Sequence, residues 1–202
     1  MVYTFCMFEI EIKAHVKNRE KVIEELNSFA EYQCFLDKED TYYRISGKDG
    51  KTLSFRIRKE TVKRGNKEGT ETFFTYKKKT IQTDEKGNQI EVNNENECLV
   101  PDPSAIITFA IDLGAEVSLK KRKITEAWHL ETEVGTANIE LCTVPPLGDF
   151  LEIEIVSDRA GKDYVEQIRH IEENILEKCG ISLSEIEPRY YKDLLNEVNE
   201  IK

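Results

Sequence analysis

Phe8-Glu9-Ile10-Glu11-Ile12-Lys13-Ala14 alternates strictly between apolar and charged residues. A period of two puts successive side chains on opposite faces of a strand, so this stretch predicts a strand with one oily and one ionic face. The same pattern returns at Phe55-Arg56-Ile57-Arg58 and at Leu151-Glu152-Ile153-Glu154-Ile155. Glu9, Glu11 and Lys13 share one face, and so do Arg56 and Arg58, Thr75, Lys77 and Lys79, Lys120 and Arg122, and Glu152 and Glu154. Two arrangements satisfy the pattern. A sandwich would turn every charge to water. A barrel with a polar lumen would turn the isoleucines outward under helices and face the charges toward each other. Crowded cations repel by roughly 4 kcal/mol per pair at 4 Å and an effective dielectric near 20, so the barrel calls for a polyanion. The carboxylates suit a hard divalent cation that bridges phosphate oxygens.

Outward from the first strand, Asn18 to about Tyr32 places Val22, Ile23, Leu26 and Phe29 at helical spacing, with Asn18 as N-cap. Strands are expected at Asp40–Ser46, Lys51–Lys59 and Thr70–Ile81, with a turn at Gly47-Lys48-Asp49-Gly50 and a loop near Gly65 and Gly69. Glu85-Lys86-Gly87-Asn88 turns the chain into a strand from about Gln89 to Leu99. Asp102-Pro103-Ser104 starts a short helix that Gly114 stops. Three strands follow at Val117–Leu130, Thr132–Val144 and Phe150–Ser157. Asp163–Cys179 and Ser184–Ile201 read as amphipathic helices. Eight strands in hairpins with flanking helices indicate one α+β domain over residues 1–202.

The 202 residues include 39% hydrophobic and 34% charged side chains, without an apolar run able to span a bilayer. A cytoplasmic location with no membrane partner is the expectation, since the N-terminus lacks the basic and apolar stretches of a secretory signal. Five cysteines without a C-x-x-C pair suggest neither disulfides nor a zinc site. The net charge of -10 argues against an open nucleic-acid surface. Charge is nonetheless segregated: Lys51–Thr80 holds ten Lys/Arg against three acids, while Asp158–Lys202 holds seven against eleven. The acidic C-terminal helices suit a solvated face or a homodimer contact. His15, His129 and His170 lack metal spacing and read as packing or surface residues. Cys142 without a matched histidine reads as a small buried residue rather than a nucleophile.

Together these motifs resemble the CYTH family, also called triphosphate tunnel metalloenzymes. Glu9-Ile10-Glu11-Ile12-Lys13 is similar to the family's E-x-E-x-K. In the family's order follow Asp40-Thr41-Tyr42-Tyr43, Arg56-Ile57-Arg58, Tyr76-Lys77, Lys120-Lys121-Arg122, and Leu147-Gly148-Asp149-Phe150-Leu151-Glu152-Ile153-Glu154. Glu187-Pro188-Arg189-Tyr190-Tyr191-Lys192-Asp193-Leu194-Leu195 is similar to the tail of the class IV adenylyl cyclase branch. The resemblance implies an eight-stranded antiparallel β-barrel forming a triphosphate tunnel. It implies Glu9, Glu11, Glu152 and Glu154 as ligands of Mg²⁺ or Mn²⁺. It implies Lys13, Arg56, Arg58, Lys77, Lys120 and Arg122 as binders of a small-molecule triphosphate (ATP, tripolyphosphate or thiamine triphosphate). Lys13 binds phosphate or helps activate a nucleophile, and both catalytic and binding roles stay open. Two positions depart from the family's pattern: Asn93-Asn94-Glu95-Asn96-Glu97 lacks its arginine, and Cys142 stands where an aspartate is usual, with Glu140 on the same face. The expected activity is ATP cyclisation to cyclic AMP and pyrophosphate, with triphosphate hydrolysis as the alternative and a non-catalytic polyphosphate-binding module as the third.

Overall fold

The structure, a computed structural model, describes residues 8–46, 52–83, 89–157 and 161–200, with side chains described outside positions 8, 9, 77–83, 89–95, 162, 199 and 200. The order is β1 (Phe8–Val16), α1 (Arg19–Phe29), β2 (Glu31–Ser46), β3 (Thr52–Arg64), β4 (Lys67–Thr83), β5 (Gln89–Leu99), α2 (Ser104–Asp112), β6 (Glu116–Thr132), β7 (Gly135–Val144), β8 (Gly148–Ser157), α3 (Lys162–Lys178), a 3₁₀ turn (Leu183–Glu185) and α4 (Tyr191–Glu200). All eight strands join one sheet in the order β1-β8-β7-β6-β2-β3-β4-β5. The β1–β8, β8–β7, β7–β6 and β4–β5 pairs are antiparallel. The turns expected at residues 47–50 and 85–88 lie outside the described residues.

Two compact units divide the chain: Met1–Leu36, Lys63–Lys67 and Lys123–Lys202 form the first, and Asp37–Val62 with Glu68–Arg122 the second. In the first unit the apolar faces of β1 and β8 supply Ile10, Ile12, Ala14, Leu151, Ile153 and Ile155, over which Ile168, Ile175, Leu176 and Cys179 pack from α3. Each Ile or Leu among these, once buried, contributes about 1.5–3 kcal/mol. Trp128, fully buried, keeps its indole N–H satisfied by donating to Asn27 Oδ1 at 2.9 Å. The second unit has a smaller core of Tyr43, Phe55, Ile57, Ala110 and Ala115, with Tyr43 and Phe55 stacked at 4.8 Å.

Two expectations need correction. The strand expected from Asp40 begins at Glu31, because α1 ends at Phe29, the backbone is already extended at Ala30, and the chain goes directly into the sheet. The last helix, expected from Ser184, is interrupted. Pro188 has no N–H to give and disfavours helical backbone at Glu187. Residues 186–190 therefore lie between the 3₁₀ turn and α4, with Ile186 bridging to Ala14 and the Glu187 N–H donating to the Lys13 carbonyl at 2.8 Å. This interruption brings the C-terminal segment onto β1.

Candidate active site

Strand parity builds the ionic face of the first unit. With Ile10, Ile12 and Ala14 committed to the core, Glu11 and Lys13 must point the other way. Register then aligns Glu11 with Glu154, Lys13 with Glu152, and Glu152 with Glu140 on β7. Lys123 of β6 closes the group: its Nζ donates to Glu140 Oε2 and to Glu152 Oε2, each at 2.6 Å. Lys123 is 8% and Glu152 9% exposed, so these are desolvated charges. Burial opposes the Lys123 charge, but Glu152 and Glu140 hold its pKa well above the ordinary value. Burial likewise pushes Glu152 up, and Lys123 more than reverses it, leaving that carboxyl below its usual range. Glu11 is raised by burial and by Glu152, while Lys13 is lowered by burial.

The C-terminal segment completes this cluster. Lys13 Nζ donates to the Arg189 carbonyl at 2.5 Å and sits 4.4 Å from the centroid of the Tyr191 ring. Tyr191 hydrogen-bonds Glu152, and its Oη lies 3.5 Å from Cys142 Sγ. Burial pushes the Cys142 thiol up to about 12, so it stays neutral and unreactive near pH 7, as its reading as a small buried residue requires.

In the second unit the balance of charge is reversed. Arg58 grips Asp40 bidentately, Nε to Oδ1 at 2.7 Å and Nη2 to Oδ2 at 3.1 Å, and Lys121 Nζ lies 3.3 Å from Oδ2. Burial pushes Asp40 up, yet Arg58 and Lys121 bring it down to about 2. Arg56 Nη2 donates to Thr75 Oγ1 at 3.1 Å and to Glu97 Oε2 at 3.2 Å.

The Lys120-Lys121-Arg122-Lys123 run holds the clearest difference from expectation. Lys120 and Arg122 are exposed, and Arg122 makes a bidentate pair with Asp37 at 2.9 and 2.7 Å. Lys121 and Lys123 point inward to Asp40, Glu140 and Glu152. Four consecutive cations fit either parity. The signal that decides is Trp128, whose even-numbered position belongs to the core face, and counting back from it puts Lys120 and Arg122 on that side. Glu11, Lys13, Glu152 and Glu154 share one sheet face as expected, and Arg56 and Arg58 both enter ionic clusters. The side chains of Glu9, Lys77 and Asn93 fall outside the described residues. Asp40, Lys121, Lys123 and Tyr191 join these clusters without having been singled out as site residues.

A divalent cation can be tested against this donor set. Among the described residues, no three His, Cys, Asp or Glu side chains already converge as a cage. Mg²⁺ and Mn²⁺ do not require one, because one or two carboxylates together with substrate phosphates suffice for Mg²⁺. Glu11 and Glu154 fit that requirement by their chemistry and place, two carboxylates paired in register across β1 and β8 on one face of the sheet.

The CYTH domain profile matches residues 7–191. The chain belongs to the CYTH domain family. CYTH-domain tunnel enzymes are metal-dependent and take triphosphate substrates. Its fold is shared with the PH1819 protein of Pyrococcus horikoshii OT3, at 25% identity and TM-score 0.67 over 95% of this chain and 99% of that one. A Vibrio parahaemolyticus protein proposed to be an adenylate cyclase shares the fold at 16% identity and TM-score 0.66, over 94% and 98% of the two chains. A Hippeastrum protein, first proposed as an adenylyl cyclase and then found to have dominant triphosphatase activity, does so at 11% identity and TM-score 0.56, over 95% of each chain. No curated protein matches the sequence. Among the described residues no helix is long and apolar enough to cross a membrane.

Proposed function

We propose that this CYTH chain is a class IV adenylyl cyclase-like enzyme that converts ATP to cyclic AMP and pyrophosphate with Mg²⁺ or Mn²⁺. The observation that supports it most is the docking of the cyclase-like tail, Glu187 to Tyr191, onto Lys13 and Glu152. In this reading Glu11 and Glu154, with Glu9 and Glu152, hold the metal, which withdraws charge from the phosphate oxygens when bound. Lys13 and Lys123 bind phosphate as point charges, and Arg56 and Arg58 have the planar fork that matches it. Lys121 replaces Lys120 and Arg122 as the candidate of its run, since it is turned to the ionic side of β6. The ribose 3′-hydroxyl oxygen attacks the α-phosphorus as its proton passes to water, the bond from that phosphorus to the α,β-bridging oxygen breaks, and pyrophosphate leaves with its charge neutralised by these cations.

Hydrolysis of a triphosphate is the second reading. It is favoured by Lys13, which stands opposite Glu152 in register, where it can help to activate attacking water. Incubation with ATP, tripolyphosphate or thiamine triphosphate and Mn²⁺, followed by ³¹P NMR and cyclic AMP detection, separates the two. Cyclic AMP with stoichiometric pyrophosphate supports cyclisation. Orthophosphate without cyclic AMP replaces it with hydrolysis. Tight binding without any product would leave a polyphosphate-binding module.

A further inference from the structure

The C-terminal segment does more in the first unit than cover a core. Tyr191 begins α4 and packs edge-on against Phe150 at 5.1 Å, in a small cluster with Cys142, Val144 and Leu194. Packing alone would be met by phenylalanine. The hydroxyl is instead spent on Glu152, beside the Cys142 thiol, and the ring face is spent on the Lys13 ammonium. Lys123 takes Glu152 Oε2, which leaves the rotation of that carboxylate about its own axis to be set by a second donor.

The segment is itself anchored, which makes Tyr191 a fixed point rather than a swinging side chain. Glu187 accepts from Arg189 through both carboxylate oxygens, at 2.8 Å to Nε and 2.6 Å to Nη2, and lies 3.3 Å from His15 Nε2. Arg189 reaches on to both oxygens of Glu197 in α4 at 3.0 and 2.9 Å.

We propose that Tyr191 is a positioning residue of the active site, its hydroxyl orienting the Glu152 carboxylate toward the metal and its ring orienting the Lys13 ammonium toward phosphate. The proposal rests on the functional reading above. Because the two tasks belong to different parts of one side chain, they separate by substitution. Tyr191→Phe keeps the ring and loses the hydroxyl; Tyr191→Leu loses both.

The test is an electron-paramagnetic-resonance titration of Mn²⁺ into the full chain, with and without tripolyphosphate, alongside KM for the triphosphate and the thermal midpoint. Tyr191→Phe is expected to weaken Mn²⁺ binding by about tenfold, the scale seen for groups that orient metal ligands, with KM within about twofold. Tyr191→Leu is expected to show the same loss for Mn²⁺ and a further rise of about tenfold in KM. A purely structural role would lower the thermal midpoint of Tyr191→Leu and leave the Mn²⁺ affinity of Tyr191→Phe at the wild-type value, and that result overturns the proposal. Wild-type protein that takes up neither Mn²⁺ nor tripolyphosphate would overturn the functional reading and this inference together, a result distinct from variants that match a competent wild type.

Discussion

The two compact units use the same device with opposite sign. In the first, a single buried lysine, Lys123, is shared by two carboxylates, with Glu11 and Glu154 on the same face. In the second, a single buried carboxylate, Asp40, is shared by Arg58 and Lys121. Each shared ion offsets part of the desolvation cost of its neighbours and leaves a surplus. Surplus acid suits a divalent cation, and surplus base suits phosphate. On the proposed function the internal salt bridges are the resting form of binding chemistry, which fits the general finding that buried pairs seldom stabilise more than apolar residues of the same volume would.

Removing Lys123 breaks the comparison most severely. Lys123→Met leaves Glu140 and Glu152 buried without their cation, and a loss of about 3–5 kcal/mol is expected in urea unfolding. Added Mn²⁺ should restore part of that loss if the acid surplus is a cation site. A loss below about 1 kcal/mol would mean that the carboxylates find water instead.

Asp40 tests the opposite sign. Its carboxyl, at about 2 in the folded chain against the ordinary 3.8, contributes stability that is present above pH 3.8 and lost as pH falls through 2. The difference corresponds to about 2 kcal/mol. Asp40→Asn should cost at least that at pH 7 and flatten the acid limb of the stability profile. An unchanged acid limb would mean that Arg58 and Lys121 do not set it.

Glu172 sharpens the comparison because it is an acid on the wrong side. Fully buried on the face of α3 that carries Ile168 and Ile175, it has no hydrogen bond to either carboxylate oxygen among the described residues, and the Arg169 guanidinium lies 3.7 Å away. Burial pushes its pKa up to about 8, so the folded chain holds a proton that the unfolded chain releases near 4.5. Stability should therefore fall as pH rises from 4.5 to 8 and level off beyond. Glu172→Leu should remove that slope and raise stability at pH 8 by on the order of 2 kcal/mol. A variant no more stable than wild type at pH 8 would contradict it.

The smallest effect belongs to Arg122. Its pair with Asp37 is exposed, and Arg122→Ala should leave the thermal midpoint unchanged and triphosphate half-saturation within about twofold, as for most surface ion pairs. Lys121→Ala should raise half-saturation by about tenfold or more. The reverse ranking would return the site to Lys120 and Arg122.

Much of this was legible in the residues. Alternation over Phe8–Ala14 and Leu151–Ile155 determined that β1 and β8 each have an oily and an ionic face, because a strand has a fixed period and mixed faces cannot both be buried. Composition excluded a membrane helix, and the ordered motifs indicated the family. Pairing across strands was not legible. Which side of β6 the Lys120–Lys123 run presents depends on where Trp128 is buried, and the sharing of Lys123 by Glu140 and Glu152 depends on the register of β7 with β8. The docking of Tyr191 on Glu152 and Lys13 joins residues far apart in the chain, after a helix interrupted at Pro188. Local period is a property of neighbouring residues and is carried by sequence. The meeting of distant charges is decided by packing, because only the folded core fixes where each strand stops sliding against the next.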